Sequence, residues 1–282
     1  MKSMVFSAFL IIVAAICFQG TDSAQAQSIF LEPNNIPAVH LEALRPGFRG
    51  KDLSNITFAF FLSGRFSLGE ELQVRAEIPY MTYKEDDSWS YWGYQTRSSE
   101  RENAFGNPYL GLEFGRLENG FHGEAGIRLP VVKDTSGAET EGMLTDPVER
   151  MEAFVPEVIP VYLGVNYRYR SDNGFGMRLR MVPVIWFRMG SSSSDDTEIF
   201  ALYSAQAWYE SEKVGVGGGF SGRFLTTGDE DGFGERTLHQ FGFFANYTFG
   251  SVMPGFQVRF PLDQDLKDVL VPAYSLSIGV KL

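Results

Sequence analysis

The feature that most constrains this chain is a two-residue alternation of apolar and polar side chains, held over segments of unusual length. Leu72, Val74, Ala76 and Ile78 fall on one face, and Gln73, Arg75 and Glu77 fall on the other. Successive side chains of a strand point to opposite sides, so this segment is a strand with one apolar and one charged face. The period recurs at Phe58, Phe60, Leu62 and Phe66, at Leu110, Leu112 and Phe114, and at Ile159, Val161, Leu163, Val165 and Tyr167. It returns at Phe241, Phe243, Ala245, Tyr247 and Phe249, and finally at Leu276, Ile278, Val280 and Leu282. Composition agrees: 30 Gly, 25 Phe and 12 Tyr suit a turn-rich β protein with an apolar exterior.

The pattern predicts twelve strands, at 38–47, 56–66, 72–83, 104–115, 120–132, 157–169, 175–187, 198–210, 213–225, 237–249, 255–262 and 271–282. The first is the weakest, because Pro46 interrupts a mixed pattern. Ordinary strands average about 5–6 residues, whereas strands that cross a bilayer at a tilt need about 9–11. Tight connections at 67–71, 116–119, 170–174, 211–212 and 250–254 alternate with longer ones at 84–103, 133–156, 188–197, 226–236 and 263–270. Short turns at one end and long loops at the other, with an even strand count, define an all-β, antiparallel, up-and-down transmembrane barrel. Each unit repeats as a hairpin: strand, tight turn, strand ending near Pro79, Pro130 or Pro261. Phe66, Phe114, Phe121, Tyr167, Phe175, Tyr209, Tyr247 and Phe256 border the short turns, where an aromatic girdle belongs.

The first 26 residues read as an export signal: Lys2, an apolar run from Val5 to Phe18, and the small-x-small site Ala24-Gln25-Ala26 before Gln27. The division is therefore 1–26 signal peptide and 27–282 barrel. The run is shorter than the ~20 residues of a spanning helix. Ile16 directly before Cys17 argues against lipid attachment, and cleavage removes the only cysteine. Segment 27–37 is too short for a plug domain. The net charge of -11 excludes a basic nucleic-acid binder. The stretch Thr237–Val258, free of Asp, Glu, Lys and Arg, is broken by His239, Asn246, Gly250 and Pro254, so it forms no membrane helix.

Parity sends Arg75, Glu77, Glu113, Glu124, Arg128, Arg168, Arg178, Arg180, Arg223 and Arg259 inward, as lumen-lining candidates, with Arg65, His122 and Lys281 beside them. Basic groups outnumber acidic ones on this face, which allows an anion-favouring pore or a set of structural arginines bonded to polar groups. The acidic runs Glu85-Asp86-Asp87, Glu139-Thr140-Glu141, Asp195-Asp196 and Asp229-Glu230-Asp231 read as solvated loops that can meet lipopolysaccharide through divalent cations. Asp146-Pro147 resembles a helix start, so a short helix over 146–154 is expected, as a surface element or as an inward constriction.

Catalytic, cofactor and metal sites are not expected. His239 faces outward near the top of its strand, but Ser221 one strand away points inward, so no nucleophile stands beside a base. His122 and Glu124 are too few for a metal, and Arg128 repels one.

The stretch Ala104-Phe-Gly-Asn-Pro-Tyr-Leu-Gly-Leu-Glu-Phe114, preceded by Ala76 to Tyr80, resembles a family of Gram-negative outer-membrane proteins described as transporters or as proteins of a meta-cleavage pathway of phenol degradation. Asn107 stands where that family usually has Asp, Phe114 stands for Tyr, and Val131-Val132 replaces Thr-Gly after Ile127 to Pro130. The resemblance covers about residues 56–132 and implies an outer-membrane barrel with a transport role, bringing no site residues. The end, Tyr274 to Leu282, resembles the C-terminal strand read by the barrel-assembly machinery. The expectation is thus a monomeric channel or transporter of the outer membrane for small solutes, hydrophobic or aromatic ones among them. Its partners would be lipid, lipopolysaccharide and the assembly machinery. The alternative is a structural or surface-interaction barrel whose lumen is sealed by salt bridges, and the third reading, an outer-membrane lipid enzyme, is disfavoured because no nucleophile stands beside a base.

Overall fold

The computed structural model describes residues 37–49, 56–91, 94–132, 137–189, 197–227 and 233–282. The signal segment and the acidic runs at 195–196 and 229–231 lie outside them. The strands are β1 Ala38–Phe48, β2 Ile56–Ser67, β3 Leu72–Tyr91, β4 Tyr94–Phe105, β5 Tyr109–Gly115, β6 Gly120–Arg128 and β7 Val158–Arg170. They continue with β8 Phe175–Arg188, β9 Glu198–Glu210, β10 Val214–Leu225, β11 Thr237–Tyr247, β12 Val252–Pro261 and β13 Leu270–Lys281. Two short helices, α1 Gly137–Thr145 and α2 Gln264–Val269, lie in the long connections.

Every strand pairs antiparallel with its neighbours, and β1 pairs both with β2 and with β13, from Ala38 opposite Lys281 to Phe48 opposite Leu270. The sheet thus closes on itself, which removes the exposed edges that make a flat sheet prone to association. β4 and β5 share one place in the wall: β5 pairs with β3 from Leu72 to Glu77, and β4 pairs with β3 from Tyr80 upward. The wall therefore has twelve positions, the closed twelve-stranded antiparallel barrel that the alternation implies.

The break between β4 and β5 has a covalent cause. Pro79 and Pro108 each lack a backbone donor, and the chain turns through Gly106-Asn107-Pro108, with Gly106 N donating to the Pro79 carbonyl at 3.0 Å. Pro79 lies inside β3 rather than at its top, because β3 and β4 run on as a hairpin to Tyr91 and Tyr94 through the region read as a loop. β6 ends at Arg128, four residues short of its expected length (132 − 128).

Burial alternates as the sequence does. In β8, Phe175, Leu179 and Met181 face out, while Arg178, Arg180, Val182, Val184 and Trp186 face in. Outward apolar groups circle the wall, among them Leu41, Ile78, Leu112, Val165, Val216, Phe243 and Leu276. Exposed Phe66, Phe114, Phe121, Phe175, Tyr209, Tyr247 and Phe256 cluster by the short turns, and Phe121 packs on Tyr167 at 5.0 Å. A wall that is apolar outside and closed by hydrogen bonds is the solution a bilayer requires. If the belt faces lipid, Leu276→Arg, a mid-strand outward position, lowers folding stability in lipid by about 2–4 kcal/mol, measured by denaturant unfolding of the refolded barrel.

Candidate functional site: a lumen closed from within

The ten candidate lumen residues are all buried, between 0 and 4% exposed. Several meet across strands that are not neighbours, as Arg178 meets Glu113, Arg180 meets Glu124 and Arg128 meets Glu77, which places their side chains inside the barrel. Toward the short-turn end, Glu113 accepts from Arg75 at 2.7 Å and from Arg178 at 3.3 Å. Asn166 bridges this group: its Oδ1 accepts from Arg178 at 2.6 Å and its Nδ2 donates to Glu124 at 2.7 Å. Glu124 pairs with Arg180 at 2.7 Å, and Arg168 donates to the Leu117 carbonyl at 3.3 Å. The Glu113 carboxylate sits in the combined field of Arg75, Arg178, Arg65 and Arg168.

Above this layer the chain supplies acid that the parity argument did not count. The segment between β6 and β7 turns inward instead of covering the outside. Helix α1 lies within the barrel, so Glu141 is buried rather than part of a solvated acidic loop. The expected helix over 146–154 does not form. Pro147 keeps Asp146 out of the helical region and ends α1. One turn follows, with Arg150 N donating to the Asp146 carbonyl at 2.9 Å, and a 3-10 turn spans Met151–Ala153.

This inward segment carries Asp146, Glu149, Arg150 and Glu152, all buried. Arg150 reaches Asp146 and Glu42 at 2.8 Å each, and its guanidinium carbon lies 3.6 Å from the Phe61 ring centre. Arg259 meets Asp146 at 2.5 Å and Glu42 at 3.1 Å. Arg180 pairs with Glu149 at 3.2 Å, Arg223 with Glu152 at 2.8 Å, and Arg128 with Glu77 at 2.7 Å. Trp186 Nε1 also donates to Glu152 at 3.1 Å. Each buried guanidinium here has a carboxylate partner, the condition under which burial of charge is tolerable. The basic excess read from the strands is therefore offset by Glu42, from the strand weakened by Pro46, and by three acids of a connection.

Two apolar clusters occupy the upper lumen beside these pairs. Leu44, Phe61, Met81 and Phe154 form one cluster, and Tyr109, Val158, Tyr162, Val184, Trp186 and Leu202 form another. At the opposite end an open basin of about 680 Å³ lies among the short turns, lined by Glu118, Asn119, Arg170, Asp172, Glu210 and Glu212.

Burial pushes the Asp146 carboxyl up, but Arg259 and Arg150 outweigh it and hold Asp146 below the usual range. Burial raises Glu149, and Arg180 does not offset it. The signs therefore differ. Asp146 contributes stability above its unfolded value that is lost as pH falls through its lowered pKa, while Glu149 favours the folded state more once protonated.

On the outer wall His239 sits near the top of β11, and Ser221 points to the opposite face and is buried. His239 has instead Asp263 on Nδ1 at 2.9 Å and the Tyr203 hydroxyl on Nε2 at 2.6 Å, a grouping that no sequence spacing announces. Among the described residues, no three His, Cys, Asp or Glu side chains gather to hold a metal.

The closed wall, apolar belt and charged interior define a β-barrel of the outer-membrane type. No protein-family model matches the chain, and no curated protein matches it. Among solved structures it is similar to an outer membrane channel from Pseudomonas putida F1, with a TM-score of 0.58 and 10% identity, over 91% of this chain and 99% of that one. It is also similar to the NanC porin, with a TM-score of 0.54 and 8% identity, over 86% of this chain and all (100%) of that one. At such identities the likeness is one of fold.

Two substitutions test the seat of the inward segment. Asp146→Asn leaves Arg150 and Arg259 to share Glu42 and loosens residues 137–157 by about 1.5–3 kcal/mol, the worth of hydrogen bonds to a charged group. Glu149→Gln changes it little, because burial already disfavours that charge. Amide hydrogen exchange across the segment at pH 7 reads both.

Proposed function

We propose that this protein is an outer-membrane channel for small solutes, held shut by its own 137–157 segment and opened when that segment withdraws. The observation that carries the reading is the nature of the seal. A connection fills the upper lumen, above a layer of paired wall side chains, and it is seated largely by side-chain ion pairs at Glu42, Arg180, Arg223 and Arg259. Such pairs exchange for water at modest net free energy, because desolvation cancels much of their attraction. The wall stays hydrogen-bonded whether the segment is in or out. The fold shared with an outer membrane channel and a porin supports the same class. Export through a cleaved signal at Ala26, insertion by the assembly machinery, and membership of the phenol-degradation-type transporter family belong to this proposal. The strand-end pattern at 104–114 supports that membership. The apolar upper lumen favours hydrophobic or aromatic solutes over ions.

The second reading, a sealed barrel with a structural role, draws on the same dense pairing of buried charge. Single-channel recording in planar bilayers separates the two. Chain 27–282 is expected to show rare, brief steps. Arg150→Gln removes the clamp on Glu42 and Asp146 and is expected to raise open probability by at least tenfold. A folded, heat-modifiable Arg150→Gln barrel as silent as the parent would overturn the axial channel.

A further inference from the structure

The wall is not paired all the way round. Strand β4 hydrogen-bonds with β3 alone, so among the described residues its other edge has no ladder. The β5–β6 ladder ends at Tyr109 opposite Arg128, and the β6–β7 ladder ends at Ile127 opposite Val161. Residues 129–132, which rise beside that edge, belong to no strand. Leu129 N donates to the Pro108 carbonyl at 2.9 Å, and Val131 N and Val132 N both donate to Asn107 Oδ1, at 2.8 and 3.0 Å. One side-chain amide stands where a strand's carbonyls would be.

Irregular backbone at membrane height is tolerated only where protein or a cavity supports it. Here the outside of the seam is apolar, with Phe105 65%, Leu129 51% and Val131 48% exposed. Inside, the apolar cluster of Tyr109, Val155, Val158 and Tyr162, with Met143 and Met151 packed against it, lies beside the Arg128–Glu77 pair, whose guanidinium donates to the Asn107 carbonyl at 2.9 Å. Lipid-facing and lumen-facing apolar surfaces thus meet across a thin wall that no ladder holds.

Asn107 also ties this seam to the inward segment. Its Nδ2 donates to the Glu152 carbonyl at 3.0 Å and the Val155 carbonyl at 2.7 Å, and its backbone N donates to the Ala153 carbonyl at 2.6 Å. Beside it, a Cβ on Gly106 would stand 2.2 Å from the Ala153 carbonyl oxygen, so only glycine lets the segment approach the wall this closely. Asn107 is fully buried, and both ends of its amide are used.

We propose that the seam between β4 and β7 is a lateral portal, through which a small neutral apolar or aromatic molecule passes between the upper lumen and the outer leaflet, with Asn107 as its latch. This rests on the reading that the lumen admits solutes, and it deepens that reading by assigning route and solute class. The ion-pair layer below remains closed during such passage, so the portal moves apolar molecules without an ion current.

Asparagine to aspartate is nearly isosteric and discriminating. Asn107→Asp keeps an acceptor for Val131 N and Val132 N, but turns the donor that holds the Glu152 and Val155 carbonyls into a second acceptor. The probe is N-phenyl-1-naphthylamine, a neutral aromatic fluorophore, offered to intact cells expressing the full chain. Asn107→Asp is expected to raise its uptake rate at least threefold, with no rise in ion conductance of the same variant in planar bilayers. A second variant leaves Asn107 in place. Pro108→Cys with Leu129→Cys ties residue 129 to residue 108 by a disulfide at the foot of the seam, one pair beyond the β5–β6 ladder, in a chain whose single cysteine, Cys17, precedes the barrel. Its oxidised form is expected to lose uptake, and a reductant to restore it. Uptake that rises only together with ion steps would place the route along the barrel axis and overturn the portal. So would uptake indifferent to both variants. Silence of Arg150→Gln in bilayers, with uptake still latched by Asn107, would instead remove the axial channel and leave the portal.

Discussion

A guanidinium taken out of water must find a carboxylate, and this barrel is organised around that demand. Outside the seam beside β4 its wall satisfies its own backbone by ladder closure, so the wall alone places few limits on the interior. The inward face then presents Arg75, Arg128, Arg178, Arg180, Arg223 and Arg259 to a space too narrow to keep them hydrated. Unpaired, each would cost several kcal/mol. The strands supply Glu42, Glu77, Glu113 and Glu124, and the rest comes from Asp146, Glu149 and Glu152 on a connection that folds back into the lumen. The charge deficit of the wall and the inward path of the connection are two aspects of one balance.

That balance also explains the vertical division of the lumen. Near the short turns, ion pairs and Asn166 fill the space. Higher up, where α1 and Phe154 enter, the inward positions turn apolar, as Val182, Val184 and Trp186 show along β8 alone. A connection carrying both acids and apolar groups can seat against both layers at once. The ionic half of the seat is exchangeable with water at modest net free energy, while the apolar half favours a greasy guest over a vacancy. A closed channel for apolar solutes draws on both properties.

The wall irregularity belongs to the same design. Pro79, Gly106 and Pro108 interrupt the ladder where the inward segment needs room, and the side chain of Asn107 takes over the acceptor role that a strand would have filled. One residue then serves the wall, the end of β6 and the segment, through separate atoms of a single amide and its backbone. Motion in any of the three parts is felt by the others.

Alternation alone was enough to read the closed twelve-position wall, the outward belt and the inward direction of the arginines, because side-chain parity is a local property of an extended chain. Most strand limits follow from it within a few residues. The hairpin of β3 and β4 beyond residue 83 was not legible, since its polar residues carry no two-faced pattern. The early end of β6 was not legible either, since the pattern continues through Leu129 and Val131 although the ladder does not. Among the interior charges, Glu42 was obscured by Pro46. Asp146, Glu149 and Glu152 were read as part of a loop because nothing in their spacing says which way a connection folds. The Tyr203, His239 and Asp263 grouping and the fourfold bonding of the Asn107 side-chain amide join residues from separate hairpins, a relation that only register and closure create. The sequence by itself determined which face each strand residue takes. The tertiary structure decided what meets inside, because pairing of buried charge depends on distances across the barrel that no local period encodes.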